Sequence, residues 1–300
     1  MTFSILIPTY NDSCYTLVKT LRSQLLSLNV EWEIIVADDC STDEDVREEN
    51  AKIEKLSGCK VEWGTENIGR AAIRNLLADM AAGDWLLFVD SGNKIDSPDF
   101  MRKYAEFFFK SSDAECVVYG GRMLNNDADA TNLRYQYERA WENKGTIEAR
   151  KANPYASFNT CNFFISRATM QRLPFNEEMK LYGFEDVLLG KQLKDAKVSI
   201  YHIDNPVTFG EYETNAEFLR KTEEAVRMQL QFKDQIDEYS TLLCTERKVR
   251  KLGLSGILNF LFKMTGGMLR RNLLGKHPKV VCFNLYKLMF LNALMRTNNK

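Results

Sequence analysis

Three short apolar runs in the first 95 residues each end abruptly on polar or acidic side chains. Short, continuous runs rich in β-branched residues are typical of strands buried on both faces of a parallel sheet. Ligands of open α/β sheets bind outside the carboxyl ends of the strands. The pattern therefore predicts a site for a phosphorylated or metal-bound ligand at that edge. The runs cover residues 3–7, 34–37 and 85–89, and they are followed by Pro8-Thr9-Tyr10-Asn11, by Asp38-Asp39 and by Asp90.

Helical patterns separate the apolar runs. Leu17, Leu21, Leu25 and Leu28 lie on one stripe of the first predicted helix. With a short strand at 61–63, the first 95 residues have the order β-α-β-α-β-α-β, which is typical of a parallel sheet with right-handed crossovers. The pattern weakens between residues 130 and 160. The predicted helices cover 12–29, 44–56, 67–82, 99–110 and 215–240, and a further strand is predicted over 115–119.

Charge is unevenly distributed along the chain. The 300 residues carry a net charge of −1, but residues 247–300 hold 12 lysines and arginines and no acidic residue. This segment also has apolar stretches at 252–262 and 280–295, each shorter or more interrupted than the roughly 18–20 apolar residues of a membrane-spanning helix. Such a segment favours contact with an anionic membrane surface. The alternative is a helical subdomain whose basic face lies in water.

Several protein classes are disfavoured by what the sequence lacks. The seven cysteines are scattered and form no CxxC pair, which argues against a disulfide framework or a zinc site and favours a reducing compartment. Neither GxGxxG nor GxxxxGKS/T occurs, so neither a dinucleotide fingerprint nor a P-loop is supported. Met1 leads directly into a predicted strand, so we expect no signal peptide and a cytoplasmic protein, located at the inner face of the cell membrane if the basic segment binds lipid.

Five sequence segments occur in the order and spacing of a known family. They are 5–11 (ILIPTYN), 34–43 (IIVADDCSTD), 66–75 (ENIGRAAIRN), 83–90 (GDWLLFVD) and 183–186 (GFED). Over residues 3–205 the chain resembles the family 2 glycosyltransferases, and 162–165 and 201–206 are similar to bacterial members of the cell-surface polysaccharide type. The resemblance implies an α/β protein with the GT-A nucleotide-diphospho-sugar transferase fold, a mostly parallel sheet flanked by helices. It does not extend to residues 247–300.

The resemblance also implies roles for individual residues. Asp186 would be the catalytic base that deprotonates the acceptor hydroxyl, and Glu185 would orient the acceptor. Asp90 would begin the DxD-type site for the nucleotide sugar and its metal, with His202 as a further metal ligand. The other nucleotide-sugar-binding residues would be Pro8, Thr9, Tyr10, Asp39, Asn67, Gly69, Arg70, Arg74 and Ser91.

The implied cofactor is a divalent cation, Mn²⁺ or Mg²⁺. Such ions prefer carboxylate oxygen, and the cation would neutralise the charge that develops on the leaving diphosphate. The chain departs from the family at this point, since Gly92 stands where the motif has its second aspartate and offers no side-chain oxygen. Metal binding would then depend on Asp90, His202, Asn93 and the diphosphate itself.

The same motifs also have purely structural interpretations. Asp38-Asp39 is suited to cap a turn, and Asn67 to cap a helix. The Glu185-Asp186 pair is favoured at a helix N-terminus by the helix dipole. A lone histidine beside a strand, such as His202, is often structural.

Together these observations predict a GT-A domain over 1–210 and a helical, basic C-terminal extension over 211–300. The predicted function is inverting transfer of a sugar, of the hexosyltransferase type, from a UDP-sugar to a saccharide or lipid-linked acceptor in cell-surface glycan assembly. The alternative is a degenerate GT-A protein that binds nucleotide sugars or assembly partners without catalysis, which Gly92 favours and the intact Glu185-Asp186 pair argues against. The basic tail lacks a recognised nucleic-acid-binding module and the main domain is acidic, which argues against a nucleic-acid partner.

Overall fold

The computed structural model describes residues 2–111, 113 and 115–298, and its strands form two sheets. The strands are β1 (Thr2–Thr9), β2 (Glu31–Asp38), β3 (Cys59–Trp63), β4 (Trp85–Val89), β5 (Asn93–Lys94), β6 (Val117–Tyr119), β7 (Arg122–Met123), β8 (Asn162–Ser166), β9 (Ile200–His202) and β10 (Val207–Phe209). The larger sheet has the order β3-β2-β1-β4-β8-β6-β9, and the smaller one has the order β5-β10-β7.

The first four strands of the larger sheet are parallel, as the apolar runs predict. β1 pairs with β2 and with β4, and β2 pairs with β3, each in parallel register. β8 then runs antiparallel between β4 and β6, and β9 completes the sheet parallel to β6. All five residues of β4 and of β8 are buried, which agrees with a sheet covered on both faces.

Helices cover the sheet where the apolar stripes predict them. In α1 the buried residues include Leu17, Leu21 and Leu25, which follow the predicted stripe. The predicted helix over 215–240 is interrupted at Phe232, whose side chain is buried and whose backbone leaves the helical conformation. The helices are α1 (Tyr15–Leu25), α2 (Glu44–Ala51), α3 (Arg70–Met80), α4 (Phe100–Lys110), α5 (Leu133–Arg139), α6 (Ile147–Ala152), α7 (Arg167–Arg172), α8 (Glu185–Asp195), α9 (Asn215–Gln231), α10 (Lys233–Ile236), α11 (Thr241–Lys251), α12 (Ser255–Leu274) and α13 (Val280–Asn298).

The chain divides into two compact units. The first comprises residues up to Asn125 together with 143–180 and 185–210, and it contains both sheets. The second comprises 126–142, 181–184 and the residues from Glu211 onward. The first unit ends at Gly210, and residues 126–142 and 181–184 group with the helical C-terminal residues. The division into a GT-A domain over 1–210 and an extension over 211–300 stays a prediction.

The second unit is helical and has a core of its own. Phe218 of α9 and Phe283 of α13 stack with ring centroids 5.2 Å apart, and Leu133 and Leu273 are buried in the same cluster. Among the described residues, no single helix has the length and apolar composition needed to cross a membrane. α11 and α12 meet that criterion only together, as a pair bent by 115°.

Candidate active site

The candidate site lies at the carboxyl edge of the parallel strands, within the first unit. The strand order places β1 between β2 and β4, with Thr9 paired to Asp38 and Leu6 paired to Phe88. The residues that follow these strands therefore meet at one edge. Asp90 comes directly after β4, as the sequence pattern predicts.

Asp39 fixes the segment that leads into α3. Its Oδ1 accepts a hydrogen bond from Ile68 N at 2.7 Å, and its Oδ2 accepts one from Gly69 N at 3.0 Å. The Asn67 amide donates to the Asp39 carbonyl oxygen at 3.1 Å, and Gly69 has φ = +87°, a conformation that favours glycine. Burial raises the pKa of Asp39, against the lowering effect of the two backbone donors. Asp39, Asn67 and Gly69 thus form one structural unit at the predicted nucleotide site.

The loop after β1 is tied to the loop after β2, and it leaves one aromatic ring accessible. Thr9 Oγ1 donates to the Asp12 carbonyl oxygen at 2.7 Å. The Asn11 side-chain oxygen accepts from Thr42 N at 2.7 Å, although Asn11 itself has φ = +50°. The Tyr10 side chain is about half exposed, so its ring is accessible to a ligand such as a nucleotide base.

Two arginines and two carboxylates form an ion-pair network beside these loops. Arg74, buried in α3, contacts Asp90 Oδ1 at 2.5 Å, and Arg70 lies 3.5 Å from Asp90 Oδ2. The Arg70 Nε also donates to Glu185 Oε1 at 2.6 Å. The network therefore joins the end of β4 to the start of α8.

The arginines hold both carboxylates ionised. Burial acts to raise the pKa of Asp90 and of Glu185, but the guanidinium groups of Arg70 and Arg74 outweigh it, so both pKa values lie below their ordinary range. Glu185 is buried and committed to Arg70. The four groups carry balanced charge, which reduces the cost of burying them.

Asp186 has the opposite electrostatic environment. It lies in the first turn of α8, where its Oδ1 accepts from Val187 N at 2.8 Å and its Oδ2 accepts from the Asn159 amide at 2.6 Å. Burial, reinforced by the negative charge of Glu185, raises the pKa of Asp186 to about 6. Two adjacent carboxylates with pKa values displaced in opposite directions are a common feature of acid–base sites.

Comparison with protein families identifies the chain's membership. The family model described as glycosyl transferase family 2 matches residues 4–172, more than half of the chain. The chain belongs to glycosyl transferase family 2. This result confirms the family resemblance, and the parallel sheet flanked by helices confirms the predicted fold class.

Curated relatives of this family 2 chain match it over about a third of its length. The putative teichuronic acid biosynthesis glycosyltransferase TuaG of Bacillus subtilis is 34% identical over 111 residues, which cover 36% of this chain and 42% of TuaG. The poly(ribitol-phosphate) β-N-acetylglucosaminyltransferase TarS of Staphylococcus aureus is 35% identical over 98 residues, which cover 32% of this chain and 17% of TarS. The matched segments thus span less than half of either relative.

Solved structures resemble the chain over almost all of its length. The match to the 1–349 fragment of S. aureus TarS covers 100% of this chain and 92% of the fragment. Its TM-score is 0.53 and the sequence identity is 17%. The mannosyltransferase PcManGT of Pyrobaculum calidifontis has been solved with GDP-Man and Mn²⁺. Its match covers 99% of this chain and 86% of PcManGT, at a TM-score of 0.59 and 13% identity. At these identities the likeness concerns the fold.

Fold relatives solved with Mn²⁺, such as PcManGT, support a divalent cation in the family, but the side chains around Asp90 in this chain offer few donors to one. Both oxygens of Asp90 face arginines, and Gly92 contributes no side-chain donor. Within residues 2–111, 113 and 115–298, no three His, Cys, Asp or Glu side chains are grouped so that they could hold a metal ion. Ser91 Oγ instead donates to Asp12 Oδ2 at 2.9 Å, and a β-carbon at Gly92 would lie 3.0 Å from that same oxygen.

His202 lies on β9, three strands from β4 in the larger sheet, and its role as a metal ligand stays a prediction. The register Phe88–Phe163–Tyr119–His202 crosses three inter-strand spacings, or roughly 14 Å. The ligands of one hard cation each lie within about 2.6 Å of it. The His202 Nε2 donates to the Pro154 carbonyl oxygen at 2.9 Å, its Nδ1 faces the Arg150 guanidinium, and burial lowers its pKa to about 4. His202 therefore fits the structural interpretation.

Sequence reasoning missed three residues of this site. Asn159 bonds to Asp186, Asp12 bonds to Ser91, and the charge of Arg122 lowers the pKa of Asp186. Asn159 and Arg122 belong to segments without a clear hydrophobic period, so no local pattern marks them. Asp12 is part of the loop after β1, where ligand-binding residues are expected, and that position was a usable signal.

Proposed function

We propose that this family 2 protein is an inverting glycosyltransferase in which Asp186 is the catalytic base. Asp186 would remove the proton of the acceptor hydroxyl as that oxygen attacks the anomeric carbon of the donor sugar. The bond between that carbon and the diphosphate oxygen would break at the same time, and the nucleoside diphosphate would leave. The observation that carries the proposal is the partly buried Asp186 carboxylate, whose pKa of about 6 leaves it ionised yet basic at neutral pH. Such a base contributes roughly 10²–10⁴-fold to the rate. Glu185, ion-paired to Arg70, would orient the acceptor side of the site.

The donor is a nucleotide diphosphate sugar, and UDP is the proposed nucleotide. The exposed ring of Tyr10 is available to stack on the base beside Pro8 and Thr9. The segment that Asp39 fixes, with Asn67 and Gly69, presents backbone close to the ribose. Support for UDP comes from the TarS fold relative, which has been solved with UDP and with UDP-GlcNAc.

Guanidinium groups are the proposed counter-charges for the diphosphate. Arg70 is partly exposed and bridges Asp90 and Glu185. Its guanidinium group can therefore direct an N–H toward an incoming phosphate oxygen. Arg74 keeps Asp90 in place from the buried side, and Ser91 borders the same position. Charge-assisted hydrogen bonds from arginine to phosphate are short and strong. No step is assigned to a metal ion, because both oxygens of Asp90 face arginines and Gly92 offers no side-chain donor.

The acceptor is proposed to be a saccharide or a lipid-linked saccharide in cell-surface glycan assembly, with transfer of the hexosyl type. TuaG and TarS are named for cell-wall polymers, which supports this class of acceptor. A cytoplasmic location at the inner face of the membrane is proposed with it, because the basic segment 247–300 suits an anionic lipid surface. Nucleic acid is not proposed as a partner.

The test is a transfer assay with UDP-sugars and a wall-polymer acceptor, comparing Asp186→Asn with Asp195→Asn. Asp195 is an exposed acid at the other end of α8, so its variant controls for loss of a charge from that helix. We expect Asp186→Asn to lose about 10²–10⁴-fold in kcat and to keep its UDP affinity. Full activity of Asp186→Asn would disprove the base assignment.

A non-catalytic binding protein is the second candidate, and Gly92 is the observation that favours it. Such a protein would still bind nucleotide, because the Tyr10 and Asp39 region is intact. UDP binding by thermal shift together with absence of sugar transfer, and of UDP-sugar hydrolysis, by the wild-type chain would support this alternative.

A further inference from the structure

The helix α12 presents an apolar stripe to solvent. Its members are 39–71% exposed and recur at helical spacing, so they lie along one side of the helix. They are Ile257, Phe260, Leu261, Met264 and Met268. Large apolar side chains exposed contiguously at this spacing mark a contact surface more often than isolated exposed residues do.

The stripe does not belong to the core of the second unit. α12 packs on that core through another side, where Gly266 and Leu273 are buried. On that side, the centroid of the Phe262 ring lies 5.8 Å from that of Tyr286 and 6.4 Å from that of Phe290. The stripe therefore lies on a different side of α12 from the residues that pack on this core.

Exposed basic residues lie within and on both sides of the stripe along the chain. Lys263 and Arg271 project from α12 itself, and Lys276 and Lys279 follow in the connection to α13. Arg250 and Lys251 precede the helix at the end of α11. Because residues 247–300 contain no acidic side chain, the positive charge here is not balanced within the segment.

We propose that this stripe of α12 binds the surface of a membrane containing anionic phospholipids. The apolar side chains would enter the boundary between headgroups and acyl chains, and the surrounding lysines and arginines would contact lipid phosphates. The helix would lie in the plane of the surface, since no described helix alone can span a bilayer. This inference does not depend on the proposed transferase activity.

A second copy of the chain is a less suitable occupant. Two such faces brought together would oppose basic residues of the same sign, and like-charge contacts are unfavourable across an interface. An anionic lipid surface instead complements the charge and accepts the apolar side chains at once.

Vesicle co-sedimentation of the full chain tests the proposal. The wild-type chain is compared on vesicles of phosphatidylcholine alone and on vesicles with about one third phosphatidylglycerol. Each lysine or arginine held near an anionic surface increases partitioning by about fivefold. We therefore expect binding to the anionic vesicles that weakens as salt is raised, and little binding to the neutral ones.

The decisive variant is Met264→Glu with Met268→Glu, which places two charges in the stripe. Since both side chains are exposed, the fold should persist, and circular dichroism checks that it does. The matched control is Leu26→Glu with Phe109→Glu, two residues of similar exposure in the first unit. We expect the stripe variant to lose at least about 100-fold in vesicle affinity, and the control to bind as the wild type does.

Three outcomes would overturn the proposal. One is absence of wild-type binding to anionic vesicles, and another is equal binding by the stripe variant. The third comes from sedimentation velocity, where a wild-type dimer that the stripe variant converts to a monomer would assign the stripe to a second copy of the chain.

Discussion

Replacing Asn159 by alanine tests the electrostatic setting of Asp186. The Asn159 amide donates to Asp186 Oδ2 over 2.6 Å, a hydrogen bond that stabilises the ionised carboxylate. A hydrogen bond to a charged group contributes about 1.5–3 kcal/mol, and one pKa unit corresponds to about 1.4 kcal/mol. Asn159→Ala should therefore raise the pKa of Asp186, which is about 6 in the wild type, by about one to two units.

The expected effect on catalysis depends on pH. A base with a pKa of about 6 is roughly nine-tenths ionised at about pH 7, whereas one with a pKa of about 7–8 is only about one half to one tenth ionised. Since the ionised form is the base, kcat/KM of the variant should fall about two- to tenfold at neutral pH and recover near pH 9. Its acidic limb should move upward by the same one to two units.

The assay is the pH–rate profile of UDP release between about pH 5 and pH 9, since the pH dependence of kcat/KM reports the free enzyme. Asn153→Ala is the matched control, because Asn153 is an exposed asparagine of the same segment. An acidic limb that stays at the wild-type position would refute the reasoning. A loss of equal size at every pH would point instead to displaced structure, because Asn159 also accepts a hydrogen bond from Cys161 N.

Three further predictions concern charge. Arg74→Met leaves the carboxylate of Asp90 without its nearest cation and should lower the free energy of unfolding by about 3 kcal/mol in urea, whereas Arg102→Met, at an exposed pair, should change it little. UDP binding by calorimetry should be equal in Mn²⁺ and in EDTA, and Gly92→Asp should make it Mn²⁺-dependent. Burial lowers the pKa of Lys287 to about 8, so above that pH the unfolded chain holds a proton that the folded lysine has lost. The contribution of Lys287 to stability therefore increases as pH rises through about 8. Lys287→Met removes this contribution, so between about pH 8 and pH 10 the Tm of the variant should fall more steeply with pH than that of the wild type.

The parallel half of the fold could be predicted because its signal is local. β1, β2 and β4 contain continuous apolar runs, and α1 between β1 and β2 carries a leucine stripe. The smaller sheet has no such signal, since β5 and β7 have two residues each and pair with β10 across more than 80 residues of sequence. Propensity and periodicity carry no information over two residues.

The site could be predicted as single residues but not as a network. Asp90, Glu185 and Asp186 are recognisable from their motifs, yet nothing in those motifs indicates that Arg70 bridges two of them. The contacts of His202 also depend on the folded chain and not on a local sequence pattern. Its position beside a strand is visible in the sequence, whereas its hydrogen bond to Pro154 depends on how the segment before β8 folds back.

Charge balance gives a physical reason to connect Gly92 with the arginines. Asp90 and Glu185 are matched by Arg70 and Arg74, and Asp186 and Arg122 add one charge of each sign, whereas the Asp12 carboxylate beside Ser91 has no such match among these groups. An incoming diphosphate therefore adds negative charge to a site that already has a small negative excess. A second carboxylate at position 92 would add to that excess and would stand beside Asp12, whose Oδ2 lies 3.0 Å from a β-carbon there. A site with that extra carboxylate needs a divalent cation to neutralise the bound diphosphate. With glycine at position 92, the guanidinium groups can neutralise the diphosphate instead. The Mn²⁺ dependence expected of Gly92→Asp follows from this argument, and UDP affinity that Mn²⁺ leaves unchanged in that variant would contradict it.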